Sequence, residues 1–324
     1  MYLIINNNTS PQFNLALEEH VLTGMDIETI ILWRNSKSVI IGLNQNAESE
    51  IDAEYVSSRG IPVVRRQSGG GAVFHDLGNV NFTVIQAAKH GDFSNYELFT
   101  SPVIRFLATL GVSASLKGRN DLVINGMKFC GNAQAVRRGR IMHHGCILYS
   151  ADFSDLSRAL KPRDIKIESH GVKSVRSRVT NIADHMPSPM PVGEFFSRMA
   201  DFFISSGIEP YELAPADIEA AERLAGEKYS SWDWNFGKSP AYNVRRVARY
   251  PYGIVEARLS VERGTIRDAR IYGDFFGVLD KSGLEELMRG LRHERAAIKS
   301  ALGGVDVGSY ISGMTADEWI DLVS

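Results

Sequence analysis

The chain of 324 residues has few of the features that mark secreted or membrane proteins. It contains only two cysteines, Cys130 and Cys146, which is too few to indicate a disulfide framework. No apolar run approaches the ~20 residues that a membrane-spanning helix needs. The first residues, MYLIINNNTSPQF, resemble neither a secretory signal nor an arginine-rich transit peptide. We therefore expect a cytoplasmic protein without membrane association.

A strong charge of either sign is absent as well. The chain has 36 lysines and arginines against 38 aspartates and glutamates, a formal net charge of −2. This balance argues against a nucleic-acid partner, and the lack of a polybasic run argues against a membrane surface. Neither H-E-x-x-H nor C-x-x-C is present, so a zinc site is not predicted. The composition, 44% hydrophobic and 23% charged, is typical of a globular protein.

Hydrophobic periodicity predicts alternating strands and helices over the first 210 residues. Ser10 followed by Pro11 is a helix start, since serine caps a helix and proline suits its first position. Gly60 and Gly111 are predicted helix stops. The predicted strands cover 3–6, 29–33, 38–42, 61–66 and 81–85, and the further predicted helices cover 46–59, 95–110 and 194–207.

The sequence pattern changes near residue 240. Segment 230–242 is rich in aromatic residues, glycine and proline, and is interpreted as an irregular connector. A predicted β-hairpin over 253–273 is followed by short helices around 282–290, 294–302 and 315–323. We therefore predict an α+β protein with a large domain, residues 1–245, and a small α+β domain, residues 246–324.

The stretch RRQSGGGAVFH, residues 65–75, places two arginines beside three glycines. It is not a P-loop, because no lysine follows, and Phe74 stands where a dinucleotide fingerprint needs its last glycine. Successive glycine N–H groups can still form an anion-binding concavity, and Arg66 can add a bidentate phosphate contact. A plain glycine turn with surface arginines is the competing interpretation.

A second informative stretch is GRNDLVINGMKFCGNAQ, residues 118–134. Asn125-Gly126 between two apolar runs predicts a two-residue hairpin turn. An unbroken register places Asp121 opposite Cys130 and predicts one face formed by Asp121, Val123, Lys128 and Cys130. The other face, predicted to be core, carries Leu122, Ile124, Met127 and Phe129. The pair of Asp121 and Lys128 suits the floor of a site or an ordinary cross-strand ion pair.

The adjacent histidines of RIMHHGCILYS, residues 140–150, lie on a predicted strand. Neighbouring side chains on a strand point to opposite faces, so His143 and His144 cannot easily bind one metal ion together. We expect one of them to face a pocket and the other to face solvent or the core.

Taken together, these segments resemble bacterial lipoate–protein ligases. The resemblance rests on motifs in the family's order, namely RRQSGGGAVFHDLGNVNF, GRNDLVINGMKFCGNAQ, HHGCILYSAD, KSVRSRVTNI and SSWDWNFGKSP. The C-terminal unit also has the size expected of the family's accessory domain. The resemblance implies an α+β fold, with a large domain of mixed β-sheets of the biotin and lipoate ligase type and a small α+β accessory domain.

The resemblance implies a two-step reaction, in which lipoate and ATP give lipoyl-AMP and the lipoyl group then passes to a lysine of an acceptor protein. Attack of a carboxylate on the α-phosphate brings two anions together, so it needs cations and oriented N–H donors. Lys128 matches the family's site lysine and is the predicted catalytic residue. The ATP and phosphate contacts implied by the family are Arg66, Gly71, Ala72, Val73, Phe74, Asn79, Asp121 and Lys128, with Asp121 as the contact for Mg²⁺.

The lipoyl chain needs an apolar slot, and the family match assigns its lining to Trp33, Gly70, Val73, Ala133 and His144. The implied co-substrates are lipoate and ATP with Mg²⁺, without a tightly bound prosthetic group. The implied acceptors are lipoyl domains of 2-oxoacid dehydrogenase complexes or the glycine-cleavage carrier protein. We expect a monomer whose small domain moves between the two steps.

Cys130 departs from the family pattern, because family members commonly carry serine at this position. Related acyltransferases of the same fold carry octanoyl or lipoyl groups on a cysteine without ATP. A neighbouring Lys128 could lower the thiol pKa and favour this chemistry. The alternative function is therefore an ATP-independent transferase with Cys130 as nucleophile. A small buried residue that happens to be cysteine is the competing explanation.

Further alternatives and roles stay open. A non-enzymatic lipoate-binding protein is disfavoured by the intact Lys128 and arginine–glycine loop, and a biotin ligase by the absence of its glycine-arginine-glycine loop. Lys173, Arg176 and Arg178 form either a solvated basic strand or a contact for pyrophosphate or an acidic acceptor.

Overall fold

The computed structural model describes residues 1–45, 47–160, 179–236 and 244–324. The strands are β1 (Tyr2–Ile5), β2 (Thr29–Trp33), β3 (Ser38–Ile41), β4 (Val63–Arg65), β5 (Val73–His75), β6 (Asn79–Ala87), β7 (Ser115–Lys117), β8 (Asp121–Ile124), β9 (Met127–Arg137), β10 (Arg140–Leu148), β11 (Glu209–Pro210), β12 (Val244–Tyr250), β13 (Gly253–Glu262) and β14 (Thr265–Gly273).

The helices of the described ranges include one 3₁₀ turn at Ile182–His185 and one π turn at Ala225–Tyr229. The α-helices are α1 (Pro11–Gly24), α2 (Ala47–Glu50), α3 (Ala53–Ser58), α4 (Tyr96–Thr109), α5 (Phe153–Ala159), α6 (Val192–Ser205), α7 (Pro215–Leu224), α8 (Trp232–Asn235), α9 (Ser282–Met288), α10 (Arg295–Ala301), α11 (Val307–Tyr310) and α12 (Ala316–Val323). Across these ranges, no helix is long and apolar enough to cross a membrane.

The largest sheet has eight strands in the order β11-β1-β2-β6-β10-β9-β8-β7. It is mixed, because β1 runs parallel to β2 and β11 whereas the other pairs are antiparallel. One face packs on α4 and α6 through buried aromatic residues that include Phe106 and Phe195. The other face packs on α1 and on a second sheet, with Leu17, Trp33 and Ile40 in one apolar cluster.

The second sheet has three strands in the order β4-β3-β5. Its inner side chains, Ile40 and Val64, belong to the apolar cluster shared with α1 and the large sheet. The outer side chains, which include Val39 and Phe74, pack on α3 and α5 instead. Side chains thus alternate between an inner and an outer face along these strands.

The third sheet, β12-β13-β14, has its own core with α9 to α12, in which Trp319 is fully buried. The predicted hairpin over 253–273 is confirmed as β13 and β14. Strand β12 was not predicted, and it covers the boundary drawn between residues 245 and 246, which stays a prediction. A large part with mixed sheets and a small α+β part confirm the predicted fold class.

The predicted helix and turn signals are also confirmed. Ser10 Oγ accepts a hydrogen bond from the Phe13 amide at the start of α1. Gly60 and Gly111, which follow α3 and α4, have φ of +59° and +75°, a left-handed conformation that glycine adopts without strain. The turn between β8 and β9 has positive φ at both central residues, Asn125 and Gly126, as a tight hairpin requires.

The single helix predicted over 46–59 is wrong. Two short helices, α2 and α3, replace it, because Ile51 forms a β-bridge with Leu160 between them. Asp52 then caps α3 through its carboxylate, which accepts from the Tyr55 amide at 3.0 Å. The connector predicted over 230–242 contains α8, and its residues 237–242 lie outside the described ranges.

Candidate active site

A cavity of about 310 Å³ lies in the cleft between the large sheet and the second sheet. This volume is at the lower end of the range for small-molecule sites. Its wall is formed by Leu15, Trp33, Ile40, Arg66, Gly70, Gly71, Ala72, Val73, His75, Asn81, Arg119, Asn120, Asp121, Lys128, Gly131, Asn132, Ala133, His144, Gly145, Cys146 and Asp274. The wall therefore includes all predicted site residues except Phe74 and Asn79.

The floor of the cavity is a row of residues across five strands of the large sheet. The cross-strand register aligns Trp33, Asn81, Cys146, Gly131 and Asp121. Because neighbouring strands are ~4.8 Å apart, the row is about 19 Å long. It runs from an apolar end at Trp33 to a charged end at Asp121.

Lys128 stands at the charged end. Its Nζ lies 2.7 Å from Asp121 Oδ1, and these side chains are 36% and 39% exposed. A Cβ added to Gly131 would lie 2.9 Å from this Nζ, so glycine leaves the space that the lysine occupies over the floor. The pair is a partly exposed cation and anion on the wall of the cavity, within reach of a ligand.

The predicted face of the β8–β9 hairpin is wrong at Cys130. Val123 pairs with Lys128 as predicted, but a β-bulge then shifts the register, so Leu122 rather than Asp121 pairs with Cys130. The Cys130 side chain is fully buried in the apolar core. Burial raises the pKa of its thiol well above the ordinary value. Cys130 therefore does not share the cavity face with Lys128.

Arg66 uses its guanidinium to hold the glycine-rich loop. The side chain is buried, and Nη2 donates to the carbonyls of Gly69 and Gly71 at 2.6 and 2.9 Å. Nη1 donates to the Ile40 carbonyl, and Nε donates to Ser68 Oγ. Burial lowers the pKa of Arg66 to about 10, which leaves it charged at neutral pH. Its donors are directed at backbone carbonyls and at Ser68 Oγ, all of them groups of the protein itself.

Arg65 makes a similar set of contacts on the other side of β4. Its guanidinium is buried, and burial lowers its pKa to about 10. It donates to the carbonyls of Gly42, Leu43, Gln45, Trp234 and Asn235. Arg65 thus ties the loop after β3 to α8.

The glycines beside these arginines allow the small domain to approach. A Cβ on Gly69 would lie 2.3 Å from the Phe275 carbonyl oxygen, and one on Gly70, at φ +90°, would lie 3.3 Å from the Phe276 ring. The same ring is covered by the Arg119 guanidinium at 4.6 Å. Because Asp274 lies on the cavity wall, the segment 274–276 of the small domain forms part of the rim.

A chain of buried hydrogen bonds fixes His144. Ser68 Oγ accepts from Arg66 Nε, so its own proton is directed at His144 Nε2, 2.7 Å away. The opposite ring nitrogen, Nδ1, then carries the hydrogen that is donated to Glu18 Oε1 at 2.9 Å. This order of serine, histidine and carboxylate resembles a nucleophilic triad, but Ser68 is buried behind the wall. The chain therefore orients His144.

Glu18 joins the same chain to the apolar end. Its Oε1 also accepts from Thr83 Oγ1 at 2.5 Å, and Thr83 Oγ1 accepts from Trp33 Nε1 at 2.9 Å. The two large side chains at the apolar end, Trp33 and His144, are thus held by one buried carboxylate. His143 lies on the other face of β10 and stacks on Phe99 at 4.9 Å, so the predicted opposition of the two histidines is confirmed.

Phe74 lies outside the cavity wall. Its side chain packs in the outer cluster of the second sheet. The Val39 amide donates to Pro62 on the β4 side, so Val39 and Phe74 form a pair without mutual hydrogen bonds. The amide and carbonyl of Phe74 consequently point away from β3. Among the described strands, β5 is the last of its sheet, so both groups face its outer edge.

Asn79 lies behind the wall. It is fully buried, its Oδ1 accepts from the Asp76 amide, and its Nδ2 donates to Cys146 Sγ at 3.0 Å. Cys146, not Cys130, is the cysteine of the cavity wall, and burial raises its pKa to about 12. Alternation in the β6 sequence NVNFT could have indicated that Asn81 and Thr83 share the side of Asn79.

Several wall residues were not predicted as site residues from the sequence. They are Leu15, Ile40, His75, Arg119, Asn120, Asn132 and Asp274. Lys173, Arg176 and Arg178 lie outside the described residues. Within the described part of the chain, no group of three or more His, Cys, Asp or Glu side chains could hold a metal ion.

Family models match both parts of the chain. The lipoyl protein ligase A/B catalytic domain matches residues 10–204, and the bacterial lipoate protein ligase C-terminus matches residues 239–323. The chain is 42% identical to lipoate-protein ligase LplJ of Bacillus subtilis, with 100% of both chains covered. It is 39% identical to lipoate–protein ligase 1 of Staphylococcus aureus, again with 100% of both chains covered.

Solved structures are similar as well. Plasmodium falciparum LipL1 in complex with lipoate has a TM-score of 0.78 at 23% identity, covering 99% of this chain and 97% of its own, which shows the shared fold. A lipoate-protein ligase A bound with ATP has a TM-score of 0.63 at 29% identity, covering 73% and 98%. The bipartite ligase from Thermoplasma acidophilum, studied with its E2 lipoyl domain, has a TM-score of 0.65 at 30% identity, covering 75% and 98%.

Proposed function

The chain belongs to the lipoate–protein ligase family, and from that premise we propose that it activates lipoate with ATP and transfers the lipoyl group to a lysine of a lipoyl domain. One observation carries this proposal. A single cavity joins an apolar end at Trp33 and His144 to an accessible cation, Lys128. A substrate with an apolar tail and a carboxylate head matches that arrangement.

The apolar end would hold the lipoyl tail. Trp33, Ile40, Val73 and Ala133 supply apolar wall there, and the buried Glu18 carboxylate keeps Trp33 and His144 in place. Enclosing an aliphatic chain contributes about 25 cal/mol per Å² of apolar surface. The carboxylate head would then lie toward Lys128, two strands away from Asn81 along the floor.

The nucleotide would occupy the open side of β5 and the charged end. The outward amide and carbonyl of Phe74 form a donor and acceptor pair of the kind that a nucleobase edge can meet. Mg²⁺ is usually held by one or two carboxylates together with substrate phosphates, and Asp121 and Asp274 on the wall fit that requirement. Mg²⁺ bound there would neutralise phosphate charge.

Lys128 would act in both steps. In the first, a lipoate carboxylate oxygen forms a bond to the α-phosphorus while the bond to pyrophosphate breaks, and the ammonium offsets the anionic charge that collects there. In the second, the neutral acceptor amine attacks the acyl carbon, the bond to AMP breaks and the amine gives up one proton to solvent. Lys128 then stabilises the leaving phosphate oxygen.

The geometry disfavours the thioester alternative. Cys130 is fully buried outside the cavity, and burial raises its thiol pKa, so it is not a ready thiolate. Cys146 does lie on the wall, but its pKa is raised to about 12. Neither thiol matches the activated nucleophile that an ATP-independent transferase needs.

Acceptor access would require the rim to open. Phe276 of the small domain lies between Tyr96 and Arg119 at the mouth of the cavity. An acceptor lysine must reach the acyl carbon past this segment, so we expect the small domain to move after lipoyl-AMP forms. Identical hydrogen-exchange protection of 274–276 with and without lipoyl-AMP would argue against this motion.

The test of the proposed function is lipoate-dependent exchange of labelled pyrophosphate into ATP. We expect exchange with wild type and with Cys130→Ser only when lipoate is present, followed by ATP-dependent lipoylation of a purified lipoyl domain. Acyl transfer without ATP that disappears with Cys130→Ser would establish the transferase instead. Binding of lipoate without either reaction would indicate a non-enzymatic binding protein.

A further inference from the structure

A second cation, Arg119, lies at the charged end of the cavity wall and is exposed. It belongs to the turn 118–120 between β7 and β8. Its Nη1 donates to the Tyr252 carbonyl, and its guanidinium lies over the Phe276 ring, 4.6 Å from the centroid. Within the described part of the chain it forms no ion pair with a carboxylate. A guanidinium has five N–H donors, so its charge and most of its donors can serve a ligand.

The turn that carries Arg119 is fixed to the floor of the cavity. Asn120 Nδ2 donates to the Asn132 carbonyl at 2.5 Å, and Asn132 Nδ2 donates to the Asn120 carbonyl at 3.0 Å. Asn132 follows Gly131 of the floor on β9. The large sheet thus holds the backbone of the turn, while Tyr252 and Phe276 of the small domain hold the guanidinium. This arrangement differs from that of Arg65 and Arg66, whose donors are used by groups of their own surroundings.

The order of groups along the floor indicates which part of ATP would meet Arg119. The row runs from Trp33 on β2 to Asp121 on β8, and β7 is the next strand of the sheet after β8. In the proposed function, the lipoate carboxylate approaches Lys128 from the side of Trp33. The attacking and leaving oxygens of a phosphoryl transfer lie roughly in line, on opposite sides of the phosphorus. The leaving pyrophosphate would therefore lie away from Trp33, on the side where Arg119 stands.

We propose that Arg119 binds the β- and γ-phosphates of ATP and stabilises the departing pyrophosphate. A carboxylate oxygen of lipoate forms a bond to the α-phosphorus. The bond from that phosphorus to the bridging oxygen breaks, and its electron pair stays with the pyrophosphate. The planar guanidinium can donate to two of these oxygens at once, and no proton is transferred. Lys128 would act at the α-phosphate, and Arg119 would act at the leaving group.

This inference rests on the proposed function, and it makes the two half-reactions respond differently. Pyrophosphate takes part in the adenylation of lipoate, whereas lipoyl-AMP and the acceptor amine react without it. A residue that contacts pyrophosphate is therefore needed in the first half-reaction and dispensable in the second. A residue that supports the fold of the site in general is needed in both.

The test measures the two half-reactions separately. Arg119→Ala should lower lipoate-dependent pyrophosphate exchange by about 10²-fold and raise the KM for pyrophosphate by about tenfold. Transfer from prepared lipoyl-AMP to a purified lipoyl domain should stay within about twofold of wild type. Arg119→Lys keeps the charge without the bidentate geometry and should recover part of the exchange. The matched control is Lys117→Ala, which removes an exposed cation two residues earlier, outside the cavity wall, and should leave both half-reactions unchanged.

A further variant separates contact with pyrophosphate from attachment of the small domain. Phe276→Leu removes the ring beneath the guanidinium but keeps the cation. It should lower exchange by less than about tenfold, because the cation–π contact orients Arg119 without binding the substrate. Equal losses of exchange in Phe276→Leu and Arg119→Ala, with a KM for pyrophosphate like that of wild type, would show that Arg119 only holds the small domain. That result would overturn the inference.

The remaining outcomes separate this inference from the proposed function. Wild type that exchanges pyrophosphate, together with Arg119→Ala that exchanges it equally well, overturns the inference alone. Equal losses of both half-reactions in Arg119→Ala do the same. Wild type without lipoate-dependent exchange overturns the proposed function as well. If Arg119→Ala does not fold, Arg119→Lys replaces it, and an unchanged KM for pyrophosphate in that variant would contradict the inference.

Discussion

Cations lie on both sides of the cleft, and their contacts differ. Arg65 and Arg66, beside the glycine-rich loop, are 8% and 6% exposed, and their donors are directed largely at backbone carbonyls. Lys128, across the cleft, is 36% exposed and contacts one partly exposed carboxylate. The doubled arginine is the more conspicuous feature of the sequence, yet Lys128 and the exposed Arg119 are the cations of the wall that a substrate can reach.

The difference follows from side-chain chemistry. A guanidinium has five N–H donors in a fixed fork and can satisfy several carbonyls of a loop that lacks a regular hydrogen-bond ladder. An ammonium on a flexible stem can turn from Asp121 toward a ligand without leaving buried acceptors unpaired. One wall is therefore fixed in advance of binding, and the other carries the cation to which we assign the chemistry in the proposed function.

The largest expected effect is the loss of pyrophosphate exchange when Lys128 is replaced. Lys128→Ala should lower lipoate-dependent pyrophosphate exchange by about 10³-fold, because it removes the cation that offsets charge at the α-phosphate. Its urea-unfolding midpoint should stay close to that of wild type, since the side chain is partly exposed. Equal losses of exchange and stability would show that Lys128 has a structural role like that of the arginines.

Replacement of Arg65, in contrast, should mainly reduce the stability of the fold. Arg65→Lys should lower the free energy of unfolding by about 3 kcal/mol, because three ammonium donors cannot satisfy five buried carbonyls. Urea denaturation provides the measurement. Arg198→Lys, at an exposed site paired with Glu194, is the control and should change stability by less than about 0.5 kcal/mol. A similar small change for Arg65→Lys would contradict the assignment.

A substitution at the apolar end should weaken the binding of lipoate more than the binding of ATP. Trp33→Leu should raise the Kd for lipoate by about 10- to 100-fold through lost apolar contact, and the Kd for ATP by less than about threefold. Separate calorimetric titrations measure the two values. Equal losses for both ligands would place Trp33 in general support of the fold.

The smallest effect concerns pH. Burial lowers the folded-state pKa of His75 from 6.5 to about 3. As the pH falls, the unfolded chain therefore binds a proton at this residue at a higher pH than the folded chain does. The stability that depends on neutral His75 is complete above pH 6.5 and is lost progressively between pH 6.5 and about 3. Between pH 6 and 5, wild type should lose about 1.4 kcal/mol per pH unit more than His75→Gln. His143, which is also buried, contributes equally to both proteins. Parallel pH profiles would contradict the burial of a neutral ring.

Much of the fold could be predicted from local patterns. The Ser10-Pro11 helix start, the Asn125-Gly126 turn and the alternation of His143 with His144 depend on short-range chemistry, and all agree with the structure. The β-bulge that turns Cys130 into the core could not be predicted, because the flanking residues fit either register. In the structure, Cys130 belongs to an apolar cluster that includes residues of α4 and α6.

Only part of the site could be predicted from the sequence. Family motifs identified Lys128 and Trp33, but nothing in the letters RR indicates whether a guanidinium faces a ligand or its own backbone. That choice depends on which carbonyls a distant segment, such as α8, brings near. Asn81, by contrast, stood in a readable alternation of polar and apolar residues along β6.

The most direct test of the account is the chemical accessibility of the Lys128 amine. Brief treatment with acetic anhydride, followed by mass spectrometry, should modify Lys128 in the free protein and spare it when lipoate and ATP are present. Lys37, which is 57% exposed and outside the cavity wall, is the internal control and should react equally in both samples. Equal modification of Lys128 with and without substrates would contradict its place as the substrate-facing cation.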